Sequence, residues 1–178
     1  MVARFNAFAT TVMPKFVKYV VSANRVIEES ALPASLDELI NVRSSQINGC
    51  GACLDMHVKD ALAAGETPLR LSLVAAWRET TVFTDAERAV LALTEQATRL
   101  ADSGGIDDAV WDAAAAHFDE EQLAAIVARI SLINAFNRMN VILQEKGGSY
   151  DPARRAAVVS AAAAGTDPKV AAAEPVAV

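Results

Sequence analysis

From residue 14 to about residue 147, the apolar residues of this chain recur at helical spacing between prolines, glycines and capping residues. The first such stretch, residues 14–30, opens with Pro14, whose missing backbone N–H costs nothing in the first turn of a helix. The valines that follow form an apolar stripe with a period of about 3.6 residues. No run of alternating β-branched and polar residues interrupts this pattern, which therefore predicts an all-α fold.

Capping residues and glycines mark where the later helices begin and end. Ser35 is expected to cap a helix at about residues 36–47, which the turn pair Asn48-Gly49 ends. A third helix is predicted to start at or near Cys50 and to stop at Gly65. Four further helices are predicted to open at Pro68, at the capping box Thr84–Glu87, at Asp107 or Asp108, and at Asp119, the last one running to about residue 145.

Length and composition fit one helical domain followed by a tail. The chain has 178 residues, of which 53% are hydrophobic, enough for a single core and too few for two full domains. We expect the domain to span residues 1–147. Residues 148–178 are Ala-rich, carry prolines and have no aromatic residue after Tyr150, so this tail is predicted to be disordered.

The charge balance narrows the classes of partner. A net charge of −6 and the lack of a dense Lys/Arg cluster argue against nucleic acid as a partner, because its phosphates need clustered cations.

The N-terminal stretch does not resemble a signal peptide, because Pro14, Lys15 and Lys18 interrupt its apolar residues. No run of about 20 apolar residues is long enough to cross a bilayer. These features predict a soluble cytoplasmic protein that binds no membrane.

Cys50 and Cys53 form a CxxC motif, and His57 follows four residues later. Residues three and four apart share one face of a helix, so Cys53 can meet both Cys50 and His57. Backbone N–H groups at a helix start stabilise a thiolate and lower its pKa below the free value of roughly 8.5. The motif thus indicates redox chemistry; two buried small hydrophobes or half of a zinc site are the weaker alternatives.

Glu38 lies three residues after Ser35, so physical reasoning alone favours a capping box formed by these two residues. A functional role for Glu38 is the weaker alternative on these grounds.

Several motifs, which follow one another in the same order as in a known family, cover nearly the whole chain up to about residue 145. Glu38 followed by Cys50, Cys53 and His57 resembles the AhpD-like alkylhydroperoxidase branch of the carboxymuconolactone decarboxylase family. The supporting segments are residues 43–50, 53–57, 76–80, 83–88 and 134–138.

The resemblance implies an all-helical homo-oligomer, often a trimer or hexamer, with thiol-dependent peroxidase activity and no cofactor or metal. By position, Cys53 corresponds to the nucleophile that attacks the hydroperoxide substrate, and Cys50 to the resolving thiol. His57 and Glu38 correspond to the proton relay, and an outside dithiol, which the sequence does not name, resets the pair. Ala52 stands where the best-known members carry an additional relay histidine, so dithiol chemistry is better supported than fast peroxidase turnover.

Two other functions compete with this one. Lactone decarboxylation, found elsewhere in the broad family, does not need a CxxC pair, so Cys50 and Cys53 argue against it. A redox-responsive oligomer, or a disulfide reductase without fast peroxidase turnover, would use the same pair differently.

Overall fold

A computed structural model describes residues 3–154 of the chain. Within that range the secondary structure is helical, and the predicted all-α class is confirmed. The helices are α1 (Met13–Glu28), α2 (Ala34–Asn48), α3 (Gly51–Ala63), α4 (Pro68–Leu73), α5 (Asp85–Thr98), α6 (Leu100–Ser103), α7 (Asp108–Ala115) and α8 (Glu120–Leu143), with 3₁₀ turns at Ala7–Ala9 and Val74–Glu79.

Two of the predicted capping patterns form as expected. The Oγ1 of Thr84 accepts from the backbone N–H of Glu87, whose carboxylate accepts in turn from the backbone N–H of Thr84. Asp119 and Gln122 make the same reciprocal pair at the start of α8. Each pair satisfies donors that a helix start would otherwise leave without partners, so both helices begin where their sequences predict.

The predicted cap at Ser35 is wrong. Helix α2 begins at Ala34, with Pro33 as its N-cap and no side-chain hydrogen bond to the cap. Ser35 therefore lies inside the first turn, where its side chain is exposed. Because the box does not form, the carboxylate of Glu38 is available for a contact elsewhere.

Helix α2 is the centre of the fold, and it packs against α3, α5 and α8. Its side chains Leu39, Ile40 and Val42 are at most 1% exposed. Burial of such side chains contributes about 1.5–3 kcal/mol each and fixes the position of α2 against its neighbours. The helix that begins at Cys50 is thus held directly against the core.

A buried carboxylate ties α2 to α5 and to the turn before it. Glu95 accepts from Nε of Arg43 at 2.8 Å and from Nε1 of Trp77 at 2.9 Å, and it also pairs with Arg78. Burial alone would raise the pKa of Glu95, but the hydrogen bonds from Arg78, Trp77 and Arg43 outweigh it and lower the pKa. Glu95 is therefore a charged part of the core.

Helix α8 meets the length and composition of a membrane span, with a mean hydropathy of 1.2. Of its apolar window, 44% is buried inside the fold, as in the core helix of a water-soluble protein. Arg129 in this helix is 4% exposed and pairs with Asp37 of α2 at 2.5 Å. The helix is therefore no argument for a membrane span, and the cytoplasmic location stays a prediction.

The proposed division at residue 147 also stays a prediction. Residues 148–150, at the start of the predicted tail, lie against α3 through backbone hydrogen bonds to Asp55. The remainder of that tail, from residue 155 onward, lies outside the described residues.

Candidate redox site

The site begins at the sharp turn between α2 and α3. Gly49 has φ +67° and ψ 29°, a left-handed conformation that glycine adopts without the penalty of a side chain. The next residue, Cys50, has extended backbone angles and donates its backbone N–H to the Ser45 carbonyl at 3.0 Å. The chain thereby leaves α2 and starts α3 with Cys50 as its N-cap.

Cys50 and Cys53 are joined by a disulfide bond. The Sγ atom of Cys50 also accepts from the backbone N–H of Cys53 at 3.3 Å, which is the N-cap interaction of α3. Cys50 is 1% exposed and Cys53 is 0% exposed. The pair predicted from the sequence is thus brought together at a helix start, with little sulfur surface open to solvent.

His57 and Glu38 are also brought together. The Nδ1 atom of His57 lies 2.9 Å from Oε2 of Glu38, across the contact between α3 and α2. The His57 side chain is 9% exposed and that of Glu38 is 23% exposed. When Nδ1 donates to the carboxylate, Nε2 carries the lone pair that can accept a proton. This arrangement suits a general base whose tautomer is fixed by a carboxylate.

Asn140 is a site residue that the sequence analysis missed. It lies near the end of α8, and its Nδ2 donates to the Sγ of Cys53 at 3.3 Å. Asn137, one turn earlier, is fully buried and donates to Oγ of Ser45 instead. No local signal separates the two asparagines, because only the position of α8 against α3 decides which of them reaches the sulfur.

Helix α8 is held in that position by a buried polar network. The side-chain amide of Asn48 donates to the oxygens of Asn134 and Asn137, each at 2.9 Å. Asn134 in turn donates to Oγ1 of Thr98 at 3.2 Å. Hydrogen bonds between buried groups are costly to leave incomplete, so the network fixes the register of α8 against α2.

A second buried pair lies next to Glu38. Asp37 accepts from Nε of Arg129 at 2.5 Å, and the Nδ2 of Asn41 donates to it at 3.4 Å. Burial raises the pKa of Asp37 above its ordinary value, although Arg129 opposes that change. The pair anchors the first turn of α2 to α8, close to the residues that carry the relay.

The segment after α8, residues 144–150, folds back over the first turns of α3, and we call it the strap. The carboxylate of Asp55 accepts from the backbone N–H of Gly148 at 2.6 Å and of Tyr150 at 2.9 Å. Lys59 donates to the Tyr150 carbonyl at 2.8 Å and pairs with Asp55 at 2.6 Å.

The strap also touches the start of α3 through two glycines. A Cβ on Gly147 would lie 2.8 Å from the Gly51 carbonyl carbon, so glycine is required at this contact.

A pocket of about 270 Å³ lies between the strap and the start of α3. Cys50 lines it, and the other lining residues are Gly49, Gly51, Asn140, Val141, Gln144, Glu145, Lys146 and Gly147. Cys53 is not among the lining residues, so of the two cysteines it is Cys50, 1% exposed, that borders this pocket.

The zinc alternative for the CxxC motif can be compared with the geometry. Within residues 3–154, no three His, Cys, Asp or Glu side chains are grouped so that they could hold a metal ion. The groups that hydrogen-bond to the two sulfur atoms are the backbone N–H of Cys53 and the side-chain amide of Asn140. Neither group is a ligand of the kind that structural zinc sites use.

Together, the helical fold and the disulfide at the start of α3 define a class of all-helical proteins with a CxxC pair at a helix start. Residues 14–96 match the profile of the carboxymuconolactone decarboxylase family. The chain is 33% identical over 138 residues to YdfG of Bacillus subtilis, an uncharacterised protein; the match covers 78% of this chain and 93% of that one. The chain belongs to the carboxymuconolactone decarboxylase family, in its AhpD-like branch.

Solved structures with the same fold agree with this membership. ATU0492 of Agrobacterium tumefaciens, a protein of unknown function described as a candidate AhpD antioxidant defence protein, superposes with a TM-score of 0.77 at 34% identity. That match covers 83% of this chain and 99% of ATU0492. The debrominase Bmp8 superposes with a TM-score of 0.69 at 20% identity, covering 76% and 73% of the two chains, which shows a shared fold alone.

Proposed function

We propose that this protein is a thiol-dependent hydroperoxide reductase that cycles between a Cys50–Cys53 dithiol and disulfide. The observation that carries the proposal is the disulfide at the start of α3, one helical turn from a His57–Glu38 pair whose hydrogen bond is 2.9 Å long. Membership of the AhpD-like branch and the likeness to an antioxidant-defence candidate support the same chemistry.

In the oxidative half of the cycle, the Cys53 thiolate attacks the distal oxygen of a hydroperoxide and breaks the O–O bond. Cys53 becomes a sulfenic acid, and the alkoxide takes a proton and leaves as alcohol. His57, oriented by Glu38, removes the thiol proton beforehand and returns one to the alkoxide. The Cys50 thiolate then attacks the Cys53 sulfur and displaces hydroxide, which is protonated to water. Two electrons have moved from the thiols to the peroxide.

In the reductive half of the cycle, an outside dithiol returns these electrons by thiol–disulfide exchange. Its own two thiols become a disulfide, and Cys50 and Cys53 return to thiols. The protein thus needs a hydroperoxide and a dithiol as its two substrates. Its four site residues are Cys53 as the nucleophile, Cys50 as the resolving thiol, and His57 with Glu38 as the relay.

The experiment that tests this function is the intact mass of the reduced protein before and after one equivalent of cumene hydroperoxide. We expect rapid loss of two hydrogens in the wild type and none in a Cys53→Ser control. A Cys50→Ser variant should instead accumulate a sulfenic acid at Cys53. No mass change in the wild type over minutes would exclude peroxidase activity.

A second candidate function is disulfide reduction without peroxidase turnover. It is favoured by the pocket, which is lined by Cys50 and not by Cys53, the residue that would have to attack a peroxide. Under this alternative, the protein reduces an external disulfide at Cys50 and leaves cumene hydroperoxide unchanged. The mass experiment separates the two candidates, because only the peroxidase is oxidised by the peroxide.

We also propose that the chain assembles as a homo-oligomer, a trimer or a hexamer. Helix α1 exposes Phe16, Tyr19 and Val26 at helical spacing, with exposed fractions of 48%, 73% and 70%. Phe5 and Phe8, in the segment before α1, are also exposed. This number of exposed large apolar side chains near the N-terminus supports an interaction surface there. Sedimentation analysis of the wild type and of a Phe16→Glu variant tests this: we expect an oligomer that the variant weakens.

A further inference from the structure

The two sulfur atoms of the disulfide have different surroundings. Both cysteines are at most 1% exposed, but Cys50 lines the pocket beneath the strap, whereas Cys53 does not line it and accepts a hydrogen bond from Asn140 of α8. In thiol–disulfide exchange, the sulfur that is attacked must be reachable by the incoming thiolate. The pocket therefore offers Cys50, and not Cys53, to a reductant.

The surroundings also distinguish the two sulfurs as leaving groups. The side-chain amide of Asn140 donates to the Cys53 Sγ at 3.3 Å. A donor aimed at a sulfur stabilises its thiolate more than its disulfide form, because a hydrogen bond to a charged acceptor is the stronger one. Exchange is faster when the sulfur that leaves is the more stable thiolate. Asn140 thus favours cleavage in which Cys53 leaves.

Resting on the dithiol cycle proposed above, we infer that the reductant attacks Cys50 through the strap pocket and that Asn140 stabilises Cys53 as the leaving thiolate. The first thiolate of the dithiol bonds to the Cys50 Sγ while the Cys50–Cys53 bond breaks, and its electron pair goes to Cys53. The second thiol of the reductant, deprotonated, then attacks its own mixed-disulfide sulfur and releases the Cys50 thiolate. The dithiol is oxidised by two electrons and the protein disulfide is reduced by two. Cys53 leaves this step as the thiolate that reacts with the next peroxide.

The strap shapes the path to Cys50. Gly147 lies against Gly51, the residue that follows Cys50, at a distance that leaves no room for a side chain. Asn140, Val141 and Gln144 form the part of the wall that comes from the end of α8 and its cap. Asn140, which bonds to the Cys53 sulfur, and most of the pocket wall are therefore built from the last turn of α8 and the strap that follows it.

The site of attack is mapped with 2-mercaptoethanol, a monothiol that cannot complete the second step by itself. Oxidised full-length protein is mixed with it, quenched in acid at several early times, alkylated with N-ethylmaleimide and digested for tandem mass spectrometry. We expect the mercaptoethanol adduct on Cys50 and the alkyl group on Cys53, in at least tenfold excess over the reverse pattern at the earliest times. Adduct on Cys53, or on both sulfurs equally, would overturn the inference.

The role of Asn140 is tested with Asn140→Leu, which keeps the approximate size of the side chain and removes the donor. We expect the rate of disulfide cleavage by 2-mercaptoethanol to fall about tenfold, the factor that follows from losing one hydrogen bond to a charged acceptor. In a Cys50→Ser background, thiolate absorbance of Cys53 should appear at higher pH in the Leu variant, a readout that a purely structural role would leave unchanged. Asp112→Leu, at an exposed position outside the pocket, is the control and should behave as the wild type. An unchanged rate and titration in Asn140→Leu would overturn the role of Asn140.

These measurements use a thiol and no peroxide, so they are independent of the proposed peroxidase reaction. Adduct on Cys50 in a protein that ignores cumene hydroperoxide would remove the peroxidase proposal and leave this inference standing. Peroxide-driven disulfide formation together with adduct on Cys53 would do the reverse.

Discussion

The Nδ1 of His57 and the Oε2 of Glu38 lie 2.9 Å apart, and this hydrogen bond links α3 to α2 one helical turn beyond Cys53. The two residues are 19 positions apart in the sequence. Both helices are fixed against the core, so the imidazole is held in one orientation without a cofactor. A base positioned in this way suits a thiol that has to lose its proton on each cycle.

The first prediction concerns the charge of that carboxylate. Replacing Glu38 with Gln keeps the shape but removes the negative charge that lies against Nδ1 of His57. Since general acid–base catalysis contributes about 10²–10⁴-fold, we expect peroxide-driven disulfide formation to slow by at least tenfold. Stopped-flow tryptophan fluorescence of the reduced protein mixed with cumene hydroperoxide gives the rate.

Glu79→Gln is the matched control, because Glu79 is exposed and lies outside the candidate site. His57→Asn should be as slow as Glu38→Gln, and the double variant should be no slower than the worse single variant, since the two residues act as one unit. If the rate loss of the double variant equalled the product of the two single losses, Glu38 and His57 would instead act independently.

The second prediction compares two sequence patterns that look alike. Ser35–Glu38 and Thr84–Glu87 both match a capping box, but only the second one forms. We expect Thr84→Ala to lower the free energy of unfolding by about 1 kcal/mol. Ser35→Ala should change it by less than about 0.5 kcal/mol, because this side chain is exposed and caps no helix. Urea unfolding measures both, and an equal loss in the two variants would contradict the assigned start of α2.

This comparison shows how far the sequence predicts the molecule. Helix starts at Thr84 and Asp119, and the third helix at Cys50, follow from local chemistry, so they were predictable. The role of Glu38 was ambiguous because the same pattern suits a cap or a relay. Pro33 is the N-cap of α2, so the helix starts one residue before Ser35 and the capping box does not form. The carboxylate of Glu38 is hydrogen-bonded to His57 instead.

The contacts that the sequence did not predict join residues far apart in the chain. Asn140 and Cys53 are 87 positions apart, and Tyr150 and Asp55 are 95 apart. Both contacts depend on where α8 ends relative to α3, which is set by the buried asparagine network between α2 and α8. Hydrophobic periodicity predicts that α8 exists but carries no information on its register. For the same reason, a tail predicted from composition at residue 148 did not reveal the strap.

The third prediction concerns the buried carboxylate of Glu95. Glu95→Gln leaves the guanidinium of Arg43, which is 9% exposed, without its counter-charge. Breaking a buried pair by removing one partner costs about 3–5 kcal/mol, and the remaining amide hydrogen bonds place the expected loss near the lower end. Chemical unfolding followed by tryptophan fluorescence measures this loss, since Trp77 itself donates to Glu95.

A variant that lacks both the Arg43 and the Glu95 charge is a second test of this ion pair. The double variant Arg43→Met, Glu95→Gln should lose less stability than the two single variants added together, because no unpaired charge stays buried. Glu121→Gln at an exposed position serves as the control. A loss of less than about 0.5 kcal/mol in Glu95→Gln would show that the pair contributes nothing to stability.

The fourth prediction concerns the clamp between Asp55 and the strap. Burial alone would raise the pKa of Asp55, but hydrogen bonds from Lys59 and from the backbone of Tyr150 and Gly148 lower it below 3.8. A carboxyl group with a lowered folded pKa stabilises the protein above its unfolded pKa, and this contribution is lost as pH falls through the folded pKa. Asp55→Asn should therefore lower stability by about 1–2 kcal/mol at pH 7, and the difference from the wild type should shrink below pH 3.8.

A local readout separates release of the strap from a general loss of stability. Lys146 lies in the strap, so a strap that leaves α3 exposes the bond after Lys146 to trypsin, and cleavage depends on how often the segment opens. We expect Asp55→Asn to be cut after Lys146 at least fivefold faster than the wild type at neutral pH, with cleavage elsewhere unchanged. Asp102→Asn, which alters an exposed carboxylate far along the sequence from the strap, should leave the pattern as it is. If Asp55→Asn were cut no faster than the wild type at Lys146, the carboxylate would not be the clamp, and the strap would owe its position to Tyr150 and to the close contact of Gly147 with Gly51.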